Sequence, residues 1–145
     1  MNALLRQSGA SHLSPQSIAP TKGFAVEQLQ WEGRRVTLWD VSGEPDYRGI
    51  WDSYLPRAAA VVLVIDGSDA APETLNDLID VCARLRAAGR PFAVLFAKSD
   101  LPGFSMLPFT DLLRREGLFP AVRAVQEAWA GEADLLPKVL ALLIA

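Results

Sequence analysis

The pattern of apolar and polar positions becomes regular at Phe24. Phe24-Ala25-Val26-Glu27-Gln28-Leu29-Gln30-Trp31 and Arg35-Val36-Thr37-Leu38-Trp39 flank Glu32-Gly33-Arg34. Two β-prone runs joined by a short glycine-containing loop predict an antiparallel hairpin, with Asp40 ending its second strand. Tyr47, Ile50, Trp51, Tyr54 and Leu55 then recur at i, i+3, i+4, i+7 and i+8, the apolar stripe of a helix. Pro45 suits its first turn and Pro56 its stop.

Ala59-Ala60-Val61-Val62-Leu63-Val64-Ile65 is a continuous apolar run ending in Asp66-Gly67-Ser68-Asp69, the pattern of a parallel strand buried on both faces. A helix follows from Pro72, with Leu75, Leu78, Ile79, Cys82 and Leu85 on one face and Gly89 at its end. Phe92 to Phe96 reads as a second buried strand, and Phe109 to Arg115 as a short helix closed by Gly117. Ala121 to Val125 is a third such strand, and a last helix runs from about Leu135 to the C-terminus. Strands alternating with helices after one hairpin predict an α/β fold: a mostly parallel sheet with one antiparallel hairpin strand and helices on both faces. Residues 1–19 mix Ser, Gly, Pro and His after Leu4-Leu5-Arg6-Gln7, an irregular N-terminal segment holding a helix remnant; residues 20–145 form the domain.

Composition narrows the function classes. With 145 residues, half of them hydrophobic, one globular domain with a real core is expected. The formal charge is -3, and the 14 Lys and Arg residues are scattered, which argues against nucleic acid as a partner. The single Cys82 excludes an internal disulfide and sits at core spacing in its helix, while His12 has no ligand partners. No apolar run reaches ~20 residues, so a cytoplasmic protein is expected.

Ligands of open α/β sheets bind beyond the carboxyl ends of the parallel strands. Asp40, Asp66 and Ala97-Lys98-Ser99-Asp100 each follow a strand, which marks that edge as the candidate site.

Five elements in order resemble the Arf and Arf-like branch of the small GTPases: Pro20-Thr21-Lys22-Gly23, Trp39-Asp40-Val41-Ser42-Gly43-Glu44, the spacing between them, Trp51 with Tyr54, and Ala97-Lys98-Ser99-Asp100-Leu101-Pro102. The likeness covers residues 18–145. It implies a small-GTPase-like fold, GTP or GDP and Mg²⁺ as ligands, and a role as a GTP-binding switch in vesicle or ciliary traffic. Thr21 would bind Mg²⁺ and the γ-phosphate, Asp40 would hold the metal through water, and the Gly43 N–H would meet the γ-phosphate. Asp100 would accept two hydrogen bonds from guanine, the Lys98 stem would cover the base, and the Ala128 N–H would meet the guanine carbonyl. Phe24, Trp39 and Tyr54 match the aromatics that such proteins present to effectors, and exchange factors would use the same switch and hairpin surface.

The chain also departs from that pattern. It contains no GxxxxGK[ST] phosphate loop, and the strand that feeds that loop in the family, between the strands ending at Asp40 and Ile65, is not in the sequence given. The expectation is therefore an incomplete version of a longer chain, with nucleotide and metal binding weakened in this form and membrane attachment supplied, if at all, by a preceding segment. Glu44 stands at the catalytic position where glutamine orients the attacking water, so hydrolysis is expected to be slow. Ser42 replaces the first glycine of the usual pair, and Ala97 the asparagine of N-K-x-D. A pseudo-GTPase that binds proteins without hydrolysing GTP is the alternative.

Overall fold

A computed structural model describes residues 21–90, 92–129 and 131–144. The expectations for residues 1–19, including the helix remnant and His12, lie outside the described residues, as does Pro20. The chain divides into two compact units between Tyr54 and Leu55.

In the first unit, β1 (Phe24–Trp31) and β2 (Arg34–Val41) pair antiparallel, from Phe24 opposite Val41 to Trp31 opposite Arg34. Glu32 (φ 47°) and Gly33 (φ 75°) are both left-handed. That is the twist a two-residue hairpin loop needs, so one glycine in that loop was the decisive residue. After Gly43 come a 3₁₀ turn at Pro45–Ile50 and a single α-turn, α1 (Trp51–Tyr54); the second unit opens with a 3₁₀ turn at Leu55–Arg57. The predicted stripe is present, with Trp51 buried and Tyr47, Ile50, Tyr54 and Leu55 half-buried. The winding is tighter than expected, because Pro45 and Pro56 each lack the N–H an α-helical ladder uses.

In the second unit, β3 (Val61–Asp66), β4 (Phe92–Ala97) and β5 (Val122–Glu127) form a parallel sheet in the order β3-β4-β5. The helices α2 (Pro72–Ala87), α3 (Leu107–Arg115) and α4 (Leu135–Ile144) complete it. Helix α4 packs on β3 and β4, and α2 on α3. The α/β architecture is as expected, but the hairpin forms a sheet of its own instead of joining the parallel one. Among the described residues no strand bonds to both.

Strand β4 is the centre of the core: Phe92, Ala93, Val94, Leu95 and Phe96 are all buried, and the Phe96 and Phe109 rings lie 5.2 Å apart. The expectation that β3 is buried on both faces is corrected. Among the described residues it is an edge strand, and Val64 is 59% exposed. A continuous apolar run states what a strand is suited to, not how many neighbours it has. On α2, Leu78, Cys82 and Leu85 are buried as expected; Val81 is buried too, because α3 covers a wider stripe than the sheet alone would. Burial pushes the Cys82 thiol up to about 12, so it is a core thiol and not a nucleophile. Among the described residues no helix is long and apolar enough to cross a membrane.

Candidate functional site

One cluster of predicted site residues lies in the first unit, where β1 begins and β2 ends. Gly23, left-handed at φ 76°, turns the chain into β1, and its carbonyl accepts the Ser42 N–H at 2.9 Å, extending the hairpin ladder by one rung. This places Thr21 beside the end of β2, where its hydroxyl donates to the Asp40 carboxylate at 2.6 Å. Both residues are half-buried. A hydroxyl and a carboxylate in contact form an all-oxygen donor pair, the chemistry that a hard divalent cation selects. Among the described residues no group of three His, Cys, Asp or Glu residues is placed to hold a metal by itself. Thr21 and Asp40 thus fit as two oxygen donors that would help to hold a Mg²⁺ ion.

Ser42, read from sequence as a lost glycine, has structural work here. It is buried, its carbonyl accepts the Trp51 indole N–H at 2.9 Å, and its hydroxyl accepts the Glu44 N–H at 3.3 Å. The Arg48 Nε donates to the Gly43 carbonyl at 2.9 Å, and the guanidinium lies 5.9 Å from the centre of the Trp51 ring. Gly43 is exposed, and an added Cβ would meet nothing within 4 Å, so the protein itself leaves the space beside it open. Glu44 is exposed, its carbonyl accepts the Tyr47 N–H at 3.0 Å, and its side chain makes no capping bond to the 3₁₀ turn.

The predicted aromatics come together on the same unit. Tyr54 stacks edge-on to Trp39 at 4.5 Å and tilted to Phe24 at 5.3 Å. Phe24, Val26 and Trp39 nevertheless remain exposed, and Val26 pairs with Trp39 across the hairpin. Val26 belongs to this face and was missed from sequence. The signal was its place two residues from Phe24, which puts both on one side of the strand.

A separate cluster, in the second unit, is built on the carboxyl ends of β3 and β4. Lys98, left-handed at φ 64°, begins a turn in which the Leu101 N–H donates to its carbonyl at 3.0 Å, and Asp100 stands exposed in that turn. The Lys98 ammonium is paired with the Asp66 carboxylate, whose other oxygen accepts from the Ser68 N–H (3.0 Å) and hydroxyl (2.6 Å). Burial alone would push the Asp66 carboxyl up, but the hydrogen bonds from Lys98 and Ser68 outweigh it and hold it below its ordinary value. A depressed carboxyl contributes stability that is present above its unfolded pKa, near 3.8, and is lost as pH falls through the lower folded value. Asp66→Asn is therefore expected to leave stability unchanged below that range and to lower it above, by less than about 1 kcal/mol for so exposed a pair. Unfolding free energies from pH 2.5 to 7 check this.

Ala128 does not behave as expected. Its N–H is donated to the Phe96 carbonyl at 2.9 Å, and its own carbonyl accepts the Ser99 N–H at 3.2 Å. The bonding between β4 and β5 continues past the Val125 end expected from sequence, through Glu127 to Ala128, and takes that donor. Ala128 ties the Lys98–Asp100 turn to the end of β5 instead of presenting a free N–H.

The model of the ADP-ribosylation factor family matches residues 8–124. The chain belongs to the ADP-ribosylation factor family. Among Arf-family relatives it is 32% identical over 92 residues to ADP-ribosylation factor-like protein 8b of Arabidopsis thaliana, covering 61% of this chain and 49% of that protein. It is 30% identical over 89 residues to ADP-ribosylation factor-like protein 3 of Chlamydomonas reinhardtii, covering 60% and 50%. The chain thus spans about half the length of the curated relatives it matches. The structure of the Arl6 BBS3 small GTPase from Trypanosoma brucei, with bound nucleotide analogue GppNp, superposes with a TM-score of 0.71 at 20% identity, over 98% of this chain and 87% of that one. That likeness establishes the small-GTPase fold for this Arf-family chain.

Proposed function

We propose that this Arf-family chain serves as a guanine-nucleotide switch in vesicle or ciliary membrane traffic, cytoplasmic and peripheral to membranes, and that it hydrolyses GTP poorly in the form given. The observation that carries this is the Thr21–Asp40 contact, an oxygen donor pair where β2 ends. Thr21 and Asp40 would hold Mg²⁺, which when bound supplies positive charge against the phosphates. Asp100 would accept the two guanine N–H groups that adenine lacks, with the Lys98 stem against the base. Glu44 carries a carboxylate at the position where a neutral amide would orient water, and it is exposed with no partner to neutralise that role. The Phe24, Val26, Trp39 and Tyr54 face would receive effector and exchange-factor proteins, since exposed clustered aromatics are effective anchors.

A pseudo-GTPase reading is favoured by one separate observation. The segment after β2 is held by the protein's own bonds from Trp51 to Ser42 and from Arg48 to Gly43, beside the ring contacts of Tyr54 with Trp39 and Phe24 that build the aromatic face.

Calorimetric titration of the folded chain with GDP and with a non-hydrolysable GTP analogue, each with Mg²⁺, separates the two. Binding that Asp100→Ala weakens at least about a hundredfold, the loss of two hydrogen bonds to a charged group, supports the switch. No binding by a cooperatively folded chain sinks it and leaves the protein-binding module.

A further inference from the structure

Ala97 heads the base-reading segment with no polar side chain of its own, yet the structure fixes that segment through Gly67, the residue across the sheet. The Gly67 N–H donates to the Ala97 carbonyl at 3.0 Å, and the Gly67 carbonyl accepts the Ser105 N–H at 3.0 Å, so one residue at the end of β3 bonds to both ends of the loop 97–105. Within that loop the Phe104 N–H donates to the Leu101 carbonyl at 3.2 Å, closing a second turn directly after the Lys98–Leu101 turn. The Phe104 ring then folds back over Gly67. A Cβ added at Gly67 would lie 2.4 and 2.7 Å from two carbons of that ring and 3.3 Å from the Ala97 carbonyl oxygen. Gly67 is buried, and its backbone is not in the left-handed region, so it is the ring and not the chain conformation that requires glycine here. The side chain that closes this packing comes from inside the loop itself.

We propose that Phe104, laid over Gly67, is a positioning residue for Lys98-Ser99-Asp100, taking the supporting role that an asparagine at position 97 would have had. The inference rests on the guanine-reading role given to Asp100 above. It assigns the chain a different means of holding that carboxylate: an apolar lid on a bare glycine instead of an amide side chain. Two turns in series give the loop few alternatives once both ends are bonded to Gly67. Without the ring, Gly67 would face solvent, and water would compete for both of its hydrogen bonds.

Four variants of the full chain test it: Phe104→Ala, Phe104→Leu, Gly67→Ala, and Gly67→Ala with Phe104→Ala. Two readouts are taken: amide hydrogen exchange over residues 98–106, and affinity for GDP against inosine diphosphate, which lacks the 2-amino group and so offers Asp100 one hydrogen bond instead of two. Phe104→Ala and Gly67→Ala are each expected to speed exchange in 98–106 by about tenfold or more, with β3 and β4 still protected, and to shrink the preference for GDP. Phe104→Leu should restore both, and the double variant should be no worse than Phe104→Ala, because the added methyl then has room. Unchanged exchange in Phe104→Ala overturns the proposal. So does loss of protection spread evenly over β3, β4 and β5, and so does faster exchange with the GDP preference intact. If the wild-type chain binds neither diphosphate, the guanine role of Asp100 falls, and exchange alone decides whether Phe104 holds the loop: a local rise supports it and no rise overturns it.

Discussion

Phe96→Ala is expected to lower the stability of the second unit by about 3–5 kcal/mol. Phe96 is fully buried in the central strand, packs its ring 5.2 Å from Phe109, and its carbonyl accepts the Ala128 N–H. Removing the ring leaves a cavity bounded by a sheet bonded on both sides of β4, so little can collapse into it. Against a total stability of ~5–15 kcal/mol for a domain, such a loss brings the unit close to unfolding at ambient temperature. Urea titration followed by far-ultraviolet circular dichroism should show a lower midpoint with an unchanged slope. A loss below about 1 kcal/mol would mean that β4 is not the packed centre of the sheet. The site would feel the change directly, because Ala97 and Lys98 follow Phe96 in the chain.

Trp51→Ala should cost a similar amount, about 3–5 kcal/mol, but in the first unit. Trp51 is the buried member of its helical turn, and its indole N–H supplies the Ser42 carbonyl with its 2.9 Å bond in a buried setting. Trp51→Phe separates the two contributions. It keeps most of the apolar area and removes the donor, leaving a buried carbonyl short of a partner at about 1–3 kcal/mol. Amide exchange at Glu44 and Tyr47 provides the local readout, since both N–H groups are bonded within the segment that Trp51 anchors. Slow exchange persisting in Trp51→Ala would mean that Ser42 and Arg48 hold the segment without it.

Much of this was legible in the chain. The hairpin, three buried-type strands and three longer helices were readable because each rests on local chemistry: a glycine at a tight loop, prolines in first turns, apolar stripes of the right period. Thr21 and Asp40 were both named for Mg²⁺ from the motifs that carry them; their direct contact was not read from the sequence. What escaped depends on neighbours that no local pattern specifies. Val64 belongs to a run that reads as fully buried, yet among the described residues its strand is an edge. Ala128 was read for an N–H that the β4–β5 ladder had already taken. Ser42 was read only as the loss of a glycine, because its bonds reach Gly23 and Trp51, 19 and nine residues away. Gly67 and Phe104 are 37 positions apart, and nothing in either one's surroundings in sequence announces the other.

The left-handed backbone at Lys98 has a further meaning. An L-residue with a Cβ in that conformation is disfavoured by about 1–2 kcal/mol, and a glycine would make the same turn without that cost. The position carries a lysine all the same, its ammonium drawn to the carboxylate of Asp66. A turn of purely architectural use has no reason to be harder to form than it needs to be. On the nucleotide role proposed for Lys98, stability is given up here to keep a positive charge at the mouth of the sheet, and a more heat-resistant version of this turn is expected to be a poorer binder.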